Sequence, residues 1–264
     1  MSDVKRIVIT GGSRGIGFAL AEEFLRFGCR VVVTGRSEER LRHAAGMLEK
    51  RGEGIFTVQA DATRSDDAES VWRRAVECMG GVDVWINNAG VGQEMLPVWD
   101  TSPATVKEII DTNVSGVIYG CRAAFRGMRS QGHGCVFNME GFGSDGRHMN
   151  NLTVYGASKR AVRYLSEGMA REAAGSGVLI GTLSPGMVAT DFLLEPLRRD
   201  PERLRRALRV LNILADTPET VARFIVPRVL RCRRQNARIV WLTGRKLFIR
   251  FLSAPFTKRN IITL

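Results

Sequence analysis

The stretch Thr10-Gly11-Gly12-Ser13-Arg14-Gly15-Ile16-Gly17 follows a β-branched run, Val4–Thr10, and precedes a predicted helix that begins at Phe18. Glycines between a strand and a helix allow a tight turn and let the backbone approach a pyrophosphate at the helix N-terminus. The alternative is an ordinary glycine-rich turn, but this placement near the start of the chain makes the signal specific. The stretch predicts a dinucleotide-binding unit with these cofactor-binding residues: Gly11, Gly12, Ser13, Arg14, Ile16 and Gly17.

The rest of the chain alternates between short apolar strands and helices of about 10–15 residues. Further strands are predicted at 29–34, 54–59, 82–86, 135–139 and 177–183, with helices at 37–51, 65–79, 113–130 and 154–174. This alternation predicts an α/β fold, a single Rossmann-type domain over residues 1–264 with a doubly wound parallel sheet of about seven strands. Helices cover both faces, 190–216 forms a substrate lid, and 238–264 forms a basic helical C-terminal extension.

The end of the second predicted strand indicates which dinucleotide binds. An acidic residue there would bind the ribose 2′-hydroxyl of NAD, but this chain has Arg36, followed by Ser37. Together with Arg14, Arg36 suits a 2′-phosphate, so the sequence predicts NADPH. The alternative is that Arg36 is merely solvated. After the third strand, Asp61 and Ala62 are predicted to contact the adenine. The Asp61 carboxylate can accept a hydrogen bond from the adenine amino group.

Tyr155 and Lys159 lie four residues apart on a predicted helix and therefore share one face. An ammonium beside a phenol can lower the phenol's pKa and turn it into a usable proton donor. Such pairs are also common on surface helices, where the two side chains are unrelated. The pair gains weight only from the other motifs around it.

Asn87-Asn88-Ala89-Gly90 ends the fourth strand, and Asn113, the tyrosine–lysine pair and Pro185-Gly186 follow in that order. With the glycine turn, this series resembles the short-chain dehydrogenase/reductase family over nearly the whole chain. The resemblance implies that Tyr155 protonates the substrate carbonyl and that Lys159 lowers its pKa and holds the nicotinamide ribose. It also implies that Asn113 keeps a water in a proton relay and that the protein is a homo-oligomer, a dimer or tetramer. Further implied cofactor contacts are Asn88, Ala89, Gly90, Tyr155, Lys159, Pro185, Gly186, Val188 and Thr190.

The chain departs from the family at its catalytic serine, which normally lies three residues after the asparagine of strand five. Here Asn138 is followed by Met139-Glu140-Gly141, so a glycine takes that position. Ser144 is the nearest hydroxyl, and we predict that it reaches in through a rearranged loop. The alternatives are that the carbonyl is polarised without a serine, or that Ser144 only caps a turn.

The departure itself resembles chlorophyll b reductases, a branch that keeps the tyrosine and lysine but carries Asp/Glu-Gly at this point. Other stretches agree with that branch: 136–147, 183–191, 212–215, 218–222 and 242–244. The resemblance implies NADPH-dependent reduction of the 7-formyl group of chlorophyll b, or of a related pigment, to 7-hydroxymethyl. One alternative is the same chemistry on another large apolar aldehyde or ketone. A second, from a different class, is a non-catalytic cofactor-binding scaffold.

The net charge of +12 is concentrated in residues 197–264, which hold 17 basic and 4 acidic residues. This indicates binding to something anionic. Basic residues are interleaved there with Phe248, Phe251 and Phe256, a mixture typical of interfacial segments. We therefore expect a cytoplasmic protein that attaches reversibly to anionic membranes, on the thylakoid side in a photosynthetic organism. The alternative is that these apolar residues pack on the domain or on a second subunit.

Several classes are disfavoured. No nucleic-acid-binding motif is present, and neither the five cysteines nor the three histidines show metal-ligand spacing, so no metal is expected. No run of 18 apolar residues occurs, and Met1–Lys5 leads directly into a strand, so neither a transmembrane helix nor a signal segment is expected.

Overall fold

The computed structural model describes residues 4–198, 201–257 and 259–262. Its centre is a parallel sheet whose strands pair in the order β3-β2-β1-β4-β5-β6-β7. The strands are β1 (Arg6–Ile9), β2 (Arg30–Gly35), β3 (Ile55–Gln59), β4 (Val84–Asn87), β5 (Gly134–Met139), β6 (Val178–Ser184) and β7 (Ala237–Val240). The predicted doubly wound parallel sheet is confirmed.

Helices cover both faces of this sheet. They are α1 (Gly15–Arg26), α2 (Glu38–Leu48), α3 (Ser65–Met79), α4 (Pro103–Ile110), α5 (Gly116–Gln131), α6 (Thr153–Glu172), α7 (Asp191–Arg198), α8 (Pro201–Leu214), α9 (Pro218–Leu230) and α10 (Gly244–Ser253). Strand periodicity assigns the faces: Ile7 and Ile9 pack against α1 and α9, whereas Val8 packs with the helices α3, α5 and α6. Burying each such side chain fully stabilises the fold by about 1.5–3 kcal/mol.

The site is expected at the carboxyl edge of the sheet. β1 lies between β2 and β4, so the connections leaving β1 and β4 run in opposite directions. In open α/β sheets ligands bind in the crevice at this switch point. The glycine turn, Asn88-Ala89-Gly90 and Pro185-Gly186 each follow the end of a strand at this edge, and Tyr155 lies in the first turn of the helix after β5.

The helix predicted to begin at Asn113 begins instead at Gly116. Ser102 caps α4 by accepting a hydrogen bond from the Thr105 amide, and Pro103 occupies its first turn, so a separate helix precedes α5. A π-helical turn, Asp111–Ser115, joins the two helices. Such turns interrupt the regular ladder and are frequent at functional sites.

The C-terminal quarter contains more regular structure than the sequence analysis assigned. The predicted lid is the helix pair α7 and α8, and Ala237–Val240, inside or beside the predicted extension, is the seventh strand. Helix α9 was missed, although Thr217 before Pro218 is a start signal and its hydroxyl accepts from the Thr220 amide. Within the described ranges, no helix is long and apolar enough to cross a bilayer.

Candidate active site

The glycine turn packs closely on the residues that follow β4. Gly11 has φ +63°, and a Cβ there would lie 2.8 Å from the Ala89 Cα. Helix α1 has no side-chain cap and no acidic residue in its first turn, so its first amides are available to an anion. Asn88 ties β4 to the turn by donating from Nδ2 to the Thr10 and Gly11 carbonyls at 2.9 and 3.0 Å. Its Oδ1 is buried with no donor among the described residues.

A cavity of about 1210 Å³ extends along the carboxyl edge from this turn to Tyr155 and the lid. It brings together most of the predicted site residues. Those that line it are Gly11, Ser13, Arg14, Ile16, Arg36, Ser37, Asp61, Ala62, Asn88, Ala89, Gly90, Ser144, Tyr155, Lys159, Pro185, Gly186, Val188 and Thr190. The residues present fit a dinucleotide, since a phosphate cradle lies at one end and a proton donor at the other.

Three predicted residues do not line the cavity: Gly12, Gly17 and Asn113. The two glycines serve packing, because a Cβ on Gly12 would lie 2.7 Å from the Val33 side chain and one on Gly17 would meet the Asn88 amide. They shape the turn without reaching the cavity wall.

Asn113 is fully buried in the π-helical turn. Its Nδ2 donates to the Val91 carbonyl at 2.9 Å and to the Ser158 hydroxyl at 3.1 Å, and its Oδ1 accepts from the Val91 amide at 2.8 Å. A Cβ on Gly90 would lie 3.2 Å from Asn113 Oδ1 and 3.6 Å from Lys159 Nζ. Asn113 therefore fixes the Gly90–Val91 backbone beside Lys159, and its role in a water relay stays a prediction.

The part of the cavity beside the end of β2 carries a third basic residue that was not predicted. Arg40 lines the cavity with Arg14 and Arg36, and all three are exposed. Ser37 caps α2 by accepting from the Arg40 amide at 3.2 Å, which orders this corner. Arg40 lies three residues after this capping serine, and that spacing is the sequence signal that would have identified it. Asp61 Oδ1 accepts from the Thr63 amide and hydroxyl, both at 2.9 Å.

Tyr155 and Lys159 occupy the first two turns of α6 and are both buried. Lys159 Nζ donates to the Met139 carbonyl at 3.3 Å and lies 5.8 Å from the centroid of the tyrosine ring. Burial raises the pKa of the Tyr155 phenol above its usual value. The lowering of this pKa by the Lys159 ammonium stays a prediction. Burial also lowers the pKa of Lys159 to about 8, against the opposing charge of Glu140. At neutral pH the phenol therefore holds its proton beside a largely charged ammonium.

The position of the family serine has no room for a side chain. A Cβ on Gly141 would collide with the Tyr155 hydroxyl and would lie 3.0 Å from Lys159 Cγ. The loop backbone thus approaches the phenol directly. Among the described residues, none accepts a hydrogen bond from the Gly141 amide.

Ser144, the predicted substitute, is buried and donates its hydroxyl to Glu140 Oε2 at 3.1 Å. Arg160 donates to the Ser144 carbonyl at 3.0 Å and fixes the loop from α6. A hydroxyl has one proton to donate, and this arrangement directs it to a carboxylate. The predicted action of Ser144 on the substrate carbonyl stays a prediction.

Ser144→Ala tests that prediction. Loss of a donor to the developing oxyanion would lower kcat by roughly 10²–10³. Because the hydroxyl is bound to Glu140, we expect a loss smaller than roughly tenfold. Steady-state kinetics with saturating cofactor would decide between the two, and a fall of two orders of magnitude would restore Ser144 as the carbonyl's donor.

The lid brings apolar side chains to the reactive end. The ring of Phe192 in α7 lies 5.9 Å from that of Tyr155, centroid to centroid, and the two planes are inclined by 54°. Further lid side chains that line the cavity are Leu193, Ala207, Val210, Leu211 and Leu214. Several predicted lid or extension residues lie outside the described part, wholly or by side chain: Leu197, Arg198, Arg199, Arg203, Leu204 and Lys258.

Asp216, at the end of the lid, binds much of the C-terminal extension. Its carboxylate, 3% exposed, accepts from Arg250 at 2.7 Å, from Arg259 at 2.6 Å and from the Trp241 indole at 2.6 Å. Both arginines belong to the basic residues of 197–264 that were expected to face an anionic membrane. That expectation is wrong for these two, because each is paired inside the protein. Within the described ranges, no three potential metal ligands come together.

Residues 5–200 match the family model for short chain dehydrogenases. The chain is 36% identical to chlorophyll(ide) b reductase NOL of Oryza sativa subsp. japonica, over 94% of this chain and 74% of the relative. It is 34% identical to the protein of that name from Arabidopsis thaliana, over 96% and 74%.

Solved structures agree with this match. Levodione reductase superposes with a TM-score of 0.84 at 25% identity, over 92% of this chain and 98% of that one. The closed form of serine dehydrogenase with NADP+ gives 0.78 at 27% identity, over 89% and 93%. With the seven-stranded parallel sheet and the tyrosine–lysine pair in its cavity, the chain belongs to the short chain dehydrogenase family and is an NAD(P)H-dependent oxidoreductase.

Proposed function

We propose that this protein is an NADPH-dependent carbonyl reductase that reduces the 7-formyl group of chlorophyll b, or of a related pigment, to 7-hydroxymethyl. The observation that carries the proposal is the joining of an apolar lid and a buried phenol in one cavity of about 1210 Å³. That volume exceeds the roughly 300–1,000 Å³ of ordinary small-molecule pockets, so it leaves room for a large apolar substrate beside a dinucleotide. The names of the plant relatives support the pigment class.

The roles of the side chains follow from their placement. NADPH, when bound, supplies hydride from its nicotinamide. Tyr155 lines the same cavity as the glycine turn and the lid, and it donates the proton to the carbonyl oxygen. Lys159 keeps a positive charge beside that phenol and binds the nicotinamide ribose, while Asn113 fixes the backbone against which both act. Proton donation of this kind typically accelerates a reaction by about 10²–10⁴-fold.

Incubation of the protein with chlorophyll b and NADPH, followed by pigment chromatography, tests the substrate. We expect a 7-hydroxymethyl product that requires NADPH. Turnover of other large apolar aldehydes or ketones without turnover of the pigment would favour the broader reductase. NADPH binding with no turnover of any carbonyl would favour the non-catalytic scaffold.

The preference for NADPH rests on Arg14, just before α1, and on Arg36 and Arg40, which follow β2; all three line the cavity. We expect Arg36→Asp to raise the KM for NADPH by roughly tenfold or more and to leave the KM for NADH nearly unchanged, because only a phosphate pairing is lost. Arg42→Asp is a matched control, since Arg42 is an exposed arginine of α2 that pairs with Glu38. Equal kcat/KM for the two cofactors in the wild type would contradict the preference.

Attachment to an anionic membrane is the second part of the proposal. Among its described side chains α10 buries none, and Phe248 and Leu252 are 68% and 67% exposed. Helix α10 contacts α8, which carries exposed basic residues: Arg205, Arg206 and Arg209. An apolar face beside cations suits acyl chains and anionic head groups together. The predicted alternative of packing on the domain does not apply to the exposed α10 side chains, so a second subunit is the competing occupant.

Vesicle co-sedimentation tests the membrane. Deletion of 245–264 would also remove Arg259 and Ile262, which pack on the lid, so point changes are sharper. We expect Phe248→Ser with Leu252→Ser to reduce binding to anionic vesicles several-fold, and added salt to weaken wild-type binding. Phe27→Ser, at the exposed end of α1, is the control. The competing result is that the wild type does not bind vesicles at low salt and forms a dimer in light scattering. If the changes at Phe248 and Leu252 dissociate that dimer, the exposed face of α10 binds a second copy of the chain.

A further inference from the structure

Glu140 is a buried carboxylate beside the catalytic pair that the mechanism above does not use. It follows the last residue of β5, and its side chain has no exposed surface. Arg238 of β7 binds it from the side, donating from Nε at 2.9 and 3.0 Å and from a terminal nitrogen at 2.7 Å. Ser144 donates a further hydrogen bond. These donors hold the pKa of Glu140 below its usual value although burial acts against them.

The two neighbours of Glu140 in the chain both touch the catalytic pair. The Met139 carbonyl accepts the ammonium of Lys159 at 3.3 Å, and the Gly141 backbone lies against the Tyr155 hydroxyl. A backbone that approaches so closely must be held, because a shift of about 1 Å at a reacting group can lower a rate about 10²-fold. Glu140 is the residue between these contacts, and its bonds to Arg238 fix it to the sheet.

We propose that Glu140, bound by Arg238, is a positioning residue: it holds Gly141 against Tyr155 and places a negative charge near the ammonium of Lys159. This deepens the proposed function and rests on it. A buried ion pair of this kind contributes little to stability compared with apolar packing, so a role in the site accounts better for its presence.

The titratable groups around Lys159 come from several elements. Its own helix contributes Tyr155, the end of β5 contributes Glu140, and β7 contributes Arg238. Asp145, in the loop that follows Gly141, is paired with Arg147 at 2.8 Å. Burial lowers the pKa of Lys159 to about 8, and the negative charge of Glu140 acts in the opposite direction by raising it.

Direct titration of Lys159 tests the electrostatic part without any substrate. Protein labelled with ε-¹³C-lysine is titrated by NMR, with the Lys159 signal assigned by its absence in Lys159→Arg. We expect Glu140→Gln to lower the pKa of Lys159 by roughly one unit, since an opposite charge is removed while Arg238 stays. Asp83→Asn is the matched control, because Asp83 is also buried and bound by Arg6 at 2.8 Å, but it precedes β4 at the opposite edge.

The kinetic part uses the pH dependence of kcat/KM with chlorophyll b. Activity that needs the ammonium falls as pH rises through the pKa of Lys159, so in Glu140→Gln this fall should begin about one pH unit lower. We expect kcat to fall by roughly tenfold or more with the KM for NADPH nearly unchanged. Arg238→Met with Glu140→Gln removes both charges and serves as the second variant if the single change does not fold.

An unchanged Lys159 titration together with an unchanged kcat in Glu140→Gln would overturn the proposal. So would equal effects of Glu140→Gln and Asp83→Asn on the titration and on kcat, because these would mean a general loss of packing. If the wild type does not reduce the pigment, the titration still tests the charge, so failure of the proposed function and failure of this inference are distinguishable.

Discussion

Tyr155→Phe is expected to lower kcat by at least roughly 10²-fold while NADPH binding stays nearly intact. The change removes one hydroxyl and keeps the ring, so the contact between Phe192 and the ring of residue 155 and the buried volume are preserved. Burial raises the pKa of this phenol, so the wild-type hydroxyl is protonated at neutral pH and ready to donate. Only the proton donor is lost in the variant.

Single-turnover kinetics and NADPH titration by fluorescence measure the two quantities separately. Tyr164→Phe is the matched control, because Tyr164 lies on the same helix and is 80% exposed. Its activity should equal that of the wild type. Turnover by Tyr155→Phe at a wild-type rate would remove the tyrosine from the proton-transfer step.

The parts of the site that the sequence predicted are those encoded by local signals. The glycine turn, the end of β4 and the tyrosine–lysine pair each lie within one strand–loop–helix connection, so spacing along the chain fixes their placement in space. Parallel strands then bring these connections to one edge.

The parts that were missed depend on pairing between distant residues. Arg238 is 98 positions from Glu140 and reaches it because β7 pairs with β6, beside β5. Arg250 and Arg259 looked like free cations because Asp216 lies 34 and 43 positions away. Composition counts charges but does not show which of them are neutralised by folding.

The same limit applies to the missing serine. The sequence shows a glycine at position 141, which leaves open whether a serine there would fit. Only the structure shows that the loop backbone lies against the phenol, since a Cβ on Gly141 would collide with the Tyr155 hydroxyl. The spacing of residues along the chain does not show how far a loop lies from a side chain on another helix or strand.

Gly141→Ser is therefore expected to inactivate the protein, although it supplies the residue type that the family usually has at this position. The new Cβ would push against the Tyr155 hydroxyl and, at 3.0 Å, against Lys159 Cγ. Neither side chain can yield easily, because both are buried in α6. A displacement of the proton donor by about 1 Å should lower kcat/KM by roughly 10²-fold.

Gly168→Ser is the matched control, since a Cβ on this α6 glycine meets nothing within 4 Å and its change should leave kcat/KM within about twofold of the wild type. Thermal unfolding of both variants separates a local effect on the site from a loss of fold. If Gly141→Ser is as active as the wild type, or more so, the loop can withdraw from Tyr155 and the serine acts as in the rest of the family. An inactive, folded Gly141→Ser variant would instead mean that the site needs the Gly141 backbone close to Tyr155 and has no space for a serine there.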